Sequence, residues 1–141
     1  MSRWLAVLSL LVACGGGSGG GATHAVPPKP PNDDLIFGTY ERRPPIGTTA
    51  IKLARDNSLI LAHDRKQLDS DKPLATGSWK IEKDTLTVTY SMGMCADSAR
   101  TGTYKVVLSK IGIHFTKLED DCAQRAKIDG ETWWRVRPNA E

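Results

Sequence analysis

The sequence contains no apolar run long enough to cross a bilayer as a helix. Its longest, Trp4 to Ala13, is ten residues including Ser9, about half of the roughly twenty required. It contains no block of Lys and Arg, and its net charge is only +3, from 19 basic and 16 acidic residues. So small a surplus does not make a phosphate-binding surface, which argues against nucleic acid as a partner. There is no Cys-x-x-Cys, and the Gly-x-Ser-x-Gly match at Gly16 to Gly20 lies in a glycine run without the strand-to-helix context of an elbow, so the usual dithiol redox pair and the hydrolase nucleophile are both missing. The three histidines, His24, His63 and His114, have no metal-ligand spacing and read as surface residues. Asp64, Asp69 and Asp71 crowd one segment, but without the glycine and terminal glutamate of a calcium loop, so it reads as a solvated turn. No catalytic constellation remains. The sequence reads as a non-enzymatic protein with no cofactor and no bound metal.

What is present begins with an address. Met1-Ser2-Arg3 supplies a positive start, and Trp4 to Ala13 has the length and character of a secretory signal core. Leu11-Val12-Ala13-Cys14 then resembles the lipobox of bacterial lipoproteins. The resemblance implies that residues 1–13 are a signal peptide removed after Ala13. It also implies that the Cys14 sulfur receives diacylglycerol and the new amine a further, palmitate-like chain. Two or more chains anchor a protein stably, whereas one is marginal. The membrane, reached through acylated Cys14, is thus the first expected partner. Gly15 in place of aspartate favours the outer membrane by the family's sorting rule, if the envelope is Gram-negative, with the domain facing periplasm or exterior. The alternative is an ordinary signal peptide cut after Thr23-His24-Ala25, giving a soluble secreted protein. With Cys14 committed to lipid, Cys95 and Cys122 have only each other, and an oxidising compartment favours a structural disulfide between them.

Residues 14–34 are rich in Gly and Pro: Gly15 to Gly21 is glycine with one serine, and Pro27, Pro28, Pro30 and Pro31 follow. This composition predicts a disordered tether, flexible first and extended second. The proline run also fits an aromatic groove on a partner, a weaker reading. The rest is one domain, residues 35–138, with a tail at 139–141. One domain is what 141 residues accommodate.

The domain is patterned with a period of two, the strand period. Thr85-Leu86-Thr87-Val88-Thr89-Tyr90 alternates almost throughout, as do Tyr104, Val106 and Leu108 with their polar neighbours. Eight strands are predicted near 36–42, 49–54, 58–63, 76–82, 85–92, 101–109, 113–118 and 131–136. Short connections make consecutive strands antiparallel neighbours, and an eight-stranded meander closes into a barrel that leaves no free edge. An all-β antiparallel barrel is therefore the expected fold, with a two-sheet sandwich as the alternative. A short helix is predicted over Cys122 to Ile128, capped by Asp120 or Asp121 and ended by Gly130. Asp121 and Arg125, four apart, would form a surface pair on it.

Gly38-Thr39-Tyr40, Gly77-Ser78-Trp79 and Gly102-Thr103-Tyr104 repeat a glycine, hydroxyl, aromatic pattern at strand starts. Gly-x-aromatic openings on an eight-stranded meander resemble the lipocalin and calycin barrels. The block Cys95, Gly102-Thr103-Tyr104, Asp120-Asp121-Cys122, Arg125 and Trp133 is similar to bacterial lipocalin-like domains. The opening Gly38-Thr39-Tyr40 departs from the usual Gly-x-Trp, and the chain is shorter than a typical lipocalin.

The inward faces supply the binding candidates: Tyr40, Leu53, Trp79, Leu86, Val88, Tyr104, Val106, Phe115 and Trp133, with Ile51, Ile81, Tyr90 and Ile113 beside them. An eight-stranded barrel is either filled by such side chains or holds one small molecule. The leading expectation is a lipid-anchored envelope protein taking a small apolar or amphipathic ligand. The alternatives are a protein-binding envelope module resembling a protease inhibitor, and a structural envelope lipoprotein with a filled core.

Overall fold

A computed structural model of the chain describes residues 26–43 and 48–137. The signal peptide, Cys14, the glycine-rich half of the tether and the tail at 139–141 lie outside the described residues. Eight antiparallel strands follow in order: β1 (Gly38–Glu41), β2 (Ala50–Leu53), β3 (Ser58–Ala62), β4 (Ala75–Glu82), β5 (Thr85–Gly93), β6 (Thr101–Leu108), β7 (Gly112–Asp120) and β8 (Thr132–Arg135). Each pairs with the next, and β8 pairs back to β1 through Tyr40 opposite Arg135 and Glu41 opposite Trp134. The sheet is a closed barrel. The sandwich alternative is excluded by that closing ladder.

Alternation sets what faces inward. Along β5, Leu86, Val88 and Tyr90 are buried between half-buried threonines; along β6, Gly102, Tyr104, Val106 and Leu108 are buried between more exposed neighbours. Inward residues build the main core of the barrel, and a second small cluster, Ala50, Ala62 and Leu68, is buried on the other face of β2 and β3. Trp133 is buried and Trp134 is not, as adjacent residues of a strand must be. Trp134 instead lies under the Arg43 guanidinium, 4.9 Å from its ring centre.

One end of the barrel is plugged. The chain has no regular structure from Val26 to Pro31, then makes a helical turn, α1 (Asn32–Leu35), before Leu35, where patterning placed the start of the domain. Two aspartates in that turn suit its positive end, and Asn32 Nδ2 donates to Lys83 O in the β4–β5 turn at 2.7 Å. Ile36 follows into the core, fully buried. Phe37 meets the edge of Trp79, with ring centres 5.6 Å apart.

The repeated glycine, hydroxyl, aromatic pattern now has a physical account at two of its three sites. Arg135 lies over the Tyr40 ring at 4.8 Å and donates to Phe37 O, Leu35 O and Tyr40 Oη. A Cβ on Gly38, whose φ is +144°, would sit 2.6 Å from Arg135 Nη1. At Gly102 a Cβ would sit 2.3 Å from Asp120 Oδ2 and 2.9 Å from Arg125 Nε. In both places glycine leaves room for a guanidinium that is bonded into the neighbouring tyrosine's network.

Two expectations are corrected here. The turn after β7 is a 3-10 segment, Arg125–Ile128, with Gln124 at its start and no side-chain cap. Asp120 ends β7 and bonds Cys122 N at 2.8 Å, so the acidic triplet is not a helix cap. Gly130 does follow the turn with a positive φ of 74°. Arg125 forms no surface pair with Asp121: it is 2 % exposed and takes Asp120 as its partner. The period of 3.6 that placed Asp121 beside Arg125 does not apply to a tight 3-10 turn entered directly from a strand. Asp64 caps a separate 3-10 turn, Arg65–Gln67, accepting from Gln67 N at 3.1 Å. Cys95 and Cys122 form a disulfide with their Cα atoms 5.8 Å apart, tying the β5–β6 loop to the segment after β7.

Candidate functional site

Among the described residues the end of the barrel opposite α1 is open. There the odd-to-even connections gather, and a cavity of about 290 Å³ descends between them into the core. Its inner wall is mostly apolar: Ile51 from β2, Leu61 from β3, Leu86, Val88 and Tyr90 from β5, Phe115 from β7 and Trp133 from β8. Phe115 and Trp133 meet edge to face with centres 6.1 Å apart, and Phe115 meets Tyr104 the same way on its other side. These contacts fix the aromatic wall. Leu74, Met94 and Ile128 add apolar surface from the loops.

The rim is polar and of one sign. Arg42, His63, Gln124, Arg125 and Lys127 line it, and among the described residues no Asp or Glu does. Two of these cations are neutralised from behind. Arg42 is paired with Glu131 and lies 5.9 Å from the Trp133 ring centre. Arg125 is bidentate on Asp120, with Nε to Oδ2 at 2.6 Å and Nη2 to Oδ1 at 2.7 Å. Lys127 and His63 are exposed and have no carboxylate within ion-pair distance among the described residues. Arg42 Nε is buried and finds no acceptor among the described residues.

Arg125 holds the wall as well as lining it. Its guanidinium donates to Ala99 O at 2.7 Å and Arg100 O at 3.0 Å, and it lies 4.7 Å from the Tyr90 ring centre. Asp120 also accepts from Tyr104 Oη. Burial works against ionising Asp120, but the bonds from Arg125, Tyr104 and Cys122 N outweigh it and hold its pKa below the ordinary value. Burial pushes the Tyr90 phenol up to about 12, with Arg125 opposing the shift and Asp120 adding to it. Tyr104 is pushed up further, by burial and then by its bond to Asp120. The disulfide and this network together brace the β5–β6 loop against the 3-10 turn, the two segments that carry Met94, Gln124 and Lys127 to the rim.

All nine residues expected to face the lumen are buried. Leu86, Val88, Phe115 and Trp133 line the cavity, whereas Tyr40, Leu53, Trp79, Tyr104 and Val106 belong to the packed core outside its lining. Sequence reading missed the rim. His63, read there as a bland surface residue, lines the cavity mouth. The available signal was the same period of two carried past the strand ends: Tyr40 leads to Arg42, Ile51 back to Thr49, and Leu61 on to His63, all in the lining except Tyr40. Lys127 and Gln124 could not be found that way, because they come from a turn. Among the described residues no group of three or more His, Cys, Asp or Glu is arranged to hold a metal ion. What the arrangement offers is a largely apolar recess beneath a cationic rim. Comparison with known proteins finds no family model that matches the chain and no curated protein similar to it.

Proposed function

We propose that this chain is a lipid-anchored protein of the bacterial envelope that binds a small apolar or amphipathic molecule in its barrel lumen, without catalysis. The observation that carries the binding half is the 290 Å³ cavity, walled by Phe115, Trp133, Leu86 and Val88 and reaching the rim. Pockets of this kind, mostly apolar with a few polar groups at one side, are where small molecules bind, and this one lies near the lower edge of their usual size. It favours lumen binding over a structural role with a filled core.

A neutral phenylnaphthylamine dye is the direct probe. Its fluorescence is expected to rise on binding, and Val88→Phe, which places a ring in the cavity, is expected to weaken binding by about tenfold or more. Val107→Phe, on the exposed outer face of β6, serves as the control and is expected to change nothing. Dye binding that ignores Val88→Phe, or no dye binding at all, contradicts the reading.

The envelope half rests on Leu11-Val12-Ala13-Cys14 after a short apolar core, and the Cys95–Cys122 disulfide suits an oxidising compartment. Intact-mass measurement of the processed protein is expected to show a chain starting at Cys14 with added acyl mass and no free thiol. A chain starting elsewhere, or two titratable thiols, contradicts it.

A further inference from the structure

We infer that the lumen ligand is a single-chain amphiphile with an anionic head, its tail against Phe115 and Val88 and its head held at the rim by Arg42 and Lys127. The inference rests on the lumen-binding reading above and narrows it to one ligand chemistry.

Three observations point to the head's charge. Among the described residues the lining of the cavity carries Arg42, Arg125, Lys127 and His63 but no carboxylate, so an anion entering the mouth meets attraction and a cation repulsion. Asp120 and two carbonyls take four of the five Arg125 N–H groups, which leaves Arg42 and Lys127 as the cations with more to offer a ligand. Of these, Lys127 has no carboxylate partner among the described residues, and its one side-chain bond is a 3.4 Å contact to Gln124 Oε1. Arg42 keeps a buried Nε–H without an acceptor among the described residues, although its Nη2 is engaged by Glu131. Buried donors are normally satisfied, so a ligand oxygen at the mouth would complete a shell the protein leaves open.

The cavity's dimensions and walls set the tail. A volume of about 290 Å³ suits one chain and not the paired chains of a membrane phospholipid. Its inner wall is apolar apart from the Tyr90 hydroxyl and the Trp133 indole N–H, which Glu131 already takes, and offers little to compensate a polar group taken out of water, so the buried part of the ligand is hydrocarbon. A carboxylate or similar anion at one end and an unbranched chain at the other satisfies both regions at once.

The test compares three ligands that share one tail, dodecanoate, dodecanol and dodecylammonium, each titrated against the folded protein by calorimetry and by displacement of the neutral dye. Dodecanoate is expected to bind about tenfold more tightly than dodecanol, as a charge-assisted bond at a partly exposed rim allows, and dodecylammonium least tightly. The advantage of dodecanoate is expected to shrink with added salt, whereas dodecanol binding is not. Lys127→Glu, on an exposed side chain outside the packed core, is expected to abolish the preference, with dodecanoate binding no more tightly than dodecanol. Equal binding of dodecanoate and dodecanol overturns the anionic head while the lumen reading stands. A preference that survives Lys127→Glu overturns the placement of the head. If none of the three binds or displaces the dye, the lumen reading itself has failed.

Discussion

Replacing Arg125 with methionine is expected to lower the free energy of unfolding by about 3–5 kcal/mol, the range for stripping one partner from a buried ion pair. Both side chains are enclosed, with relative exposures of 1 % for Arg125 and 0 % for Asp120. Methionine has comparable length but supplies none of the four donor contacts that reach Asp120, Ala99 O and Arg100 O. Asp120 would keep only Tyr104 Oη and Cys122 N as donors, and the two carbonyls would lose their bonds from Arg125. The charge left behind matters more than the pair itself. The double replacement Asp120→Asn with Arg125→Met, which removes that charge, is therefore expected to recover about half of the loss or more. Urea midpoints of the two variants measure this. A single-variant loss below about 1 kcal/mol, the value for a solvated pair, would show that the network is not closed to water. The same network should fail in acid. Asp120 has a lowered pKa in the folded state, so its contribution is present above the unfolded value near 3.9 and is lost as pH falls below it.

Alkali is expected to unfold the barrel between about pH 10 and pH 12. All three tyrosines of the chain are buried, at 0 % for Tyr40, 3 % for Tyr90 and 0 % for Tyr104. Burial raises Tyr40 and Tyr90 from 10.0 to about 12 each, partly opposed by Arg135 and Arg125 respectively. Tyr104 is raised beyond them. In the unfolded chain these phenols ionise near pH 10, while the fold holds them neutral. Their contribution is complete below pH 10 and is lost as pH rises through the folded values. Each of Tyr40 and Tyr90 then accounts for on the order of 2–3 kcal/mol by pH 12, a large share of the 5–15 kcal/mol typical of a domain. Tyr90→Phe deletes one ionisable hydroxyl and is expected to flatten the loss of stability above pH 10 relative to the parent. Parallel curves for the two proteins would mean that Tyr90 titrates in the fold much as it does in water.

The barrel was legible because strand alternation is a local property. Leu86, Val88 and Tyr90 must share a face whatever surrounds them, and the eight predicted strands agree with the observed ones to within about two residues at most ends. The disulfide followed from having one pair of cysteines left over once Cys14 was assigned to lipid. Asp120 and Arg125 were legible as a cluster but not as a partnership, because a 3-10 turn leaving a strand has no periodicity to read. The Gly-Thr-Tyr repeats were visible as a pattern and opaque as a cause, since the arginines they accommodate, Arg135 and Arg125, lie elsewhere in the sequence from Gly38 and Gly102 respectively. Whether the lumen was filled was not readable at all. It depends on how Tyr104, Phe115 and Trp133 tilt against one another, and residue identity does not specify that.

The barrel's claim to a ligand is tested most directly by locating a bound chain. Intermolecular NOEs from carbon-labelled dodecanoate are predicted to reach the Leu86 and Val88 methyl groups and the Phe115 ring at the cavity wall. NOEs confined to exposed apolar residues outside the lumen, Val107 and Leu118 on the strands and Ile111 in the β6–β7 turn, would contradict the account, as would a saturated sample that shows none.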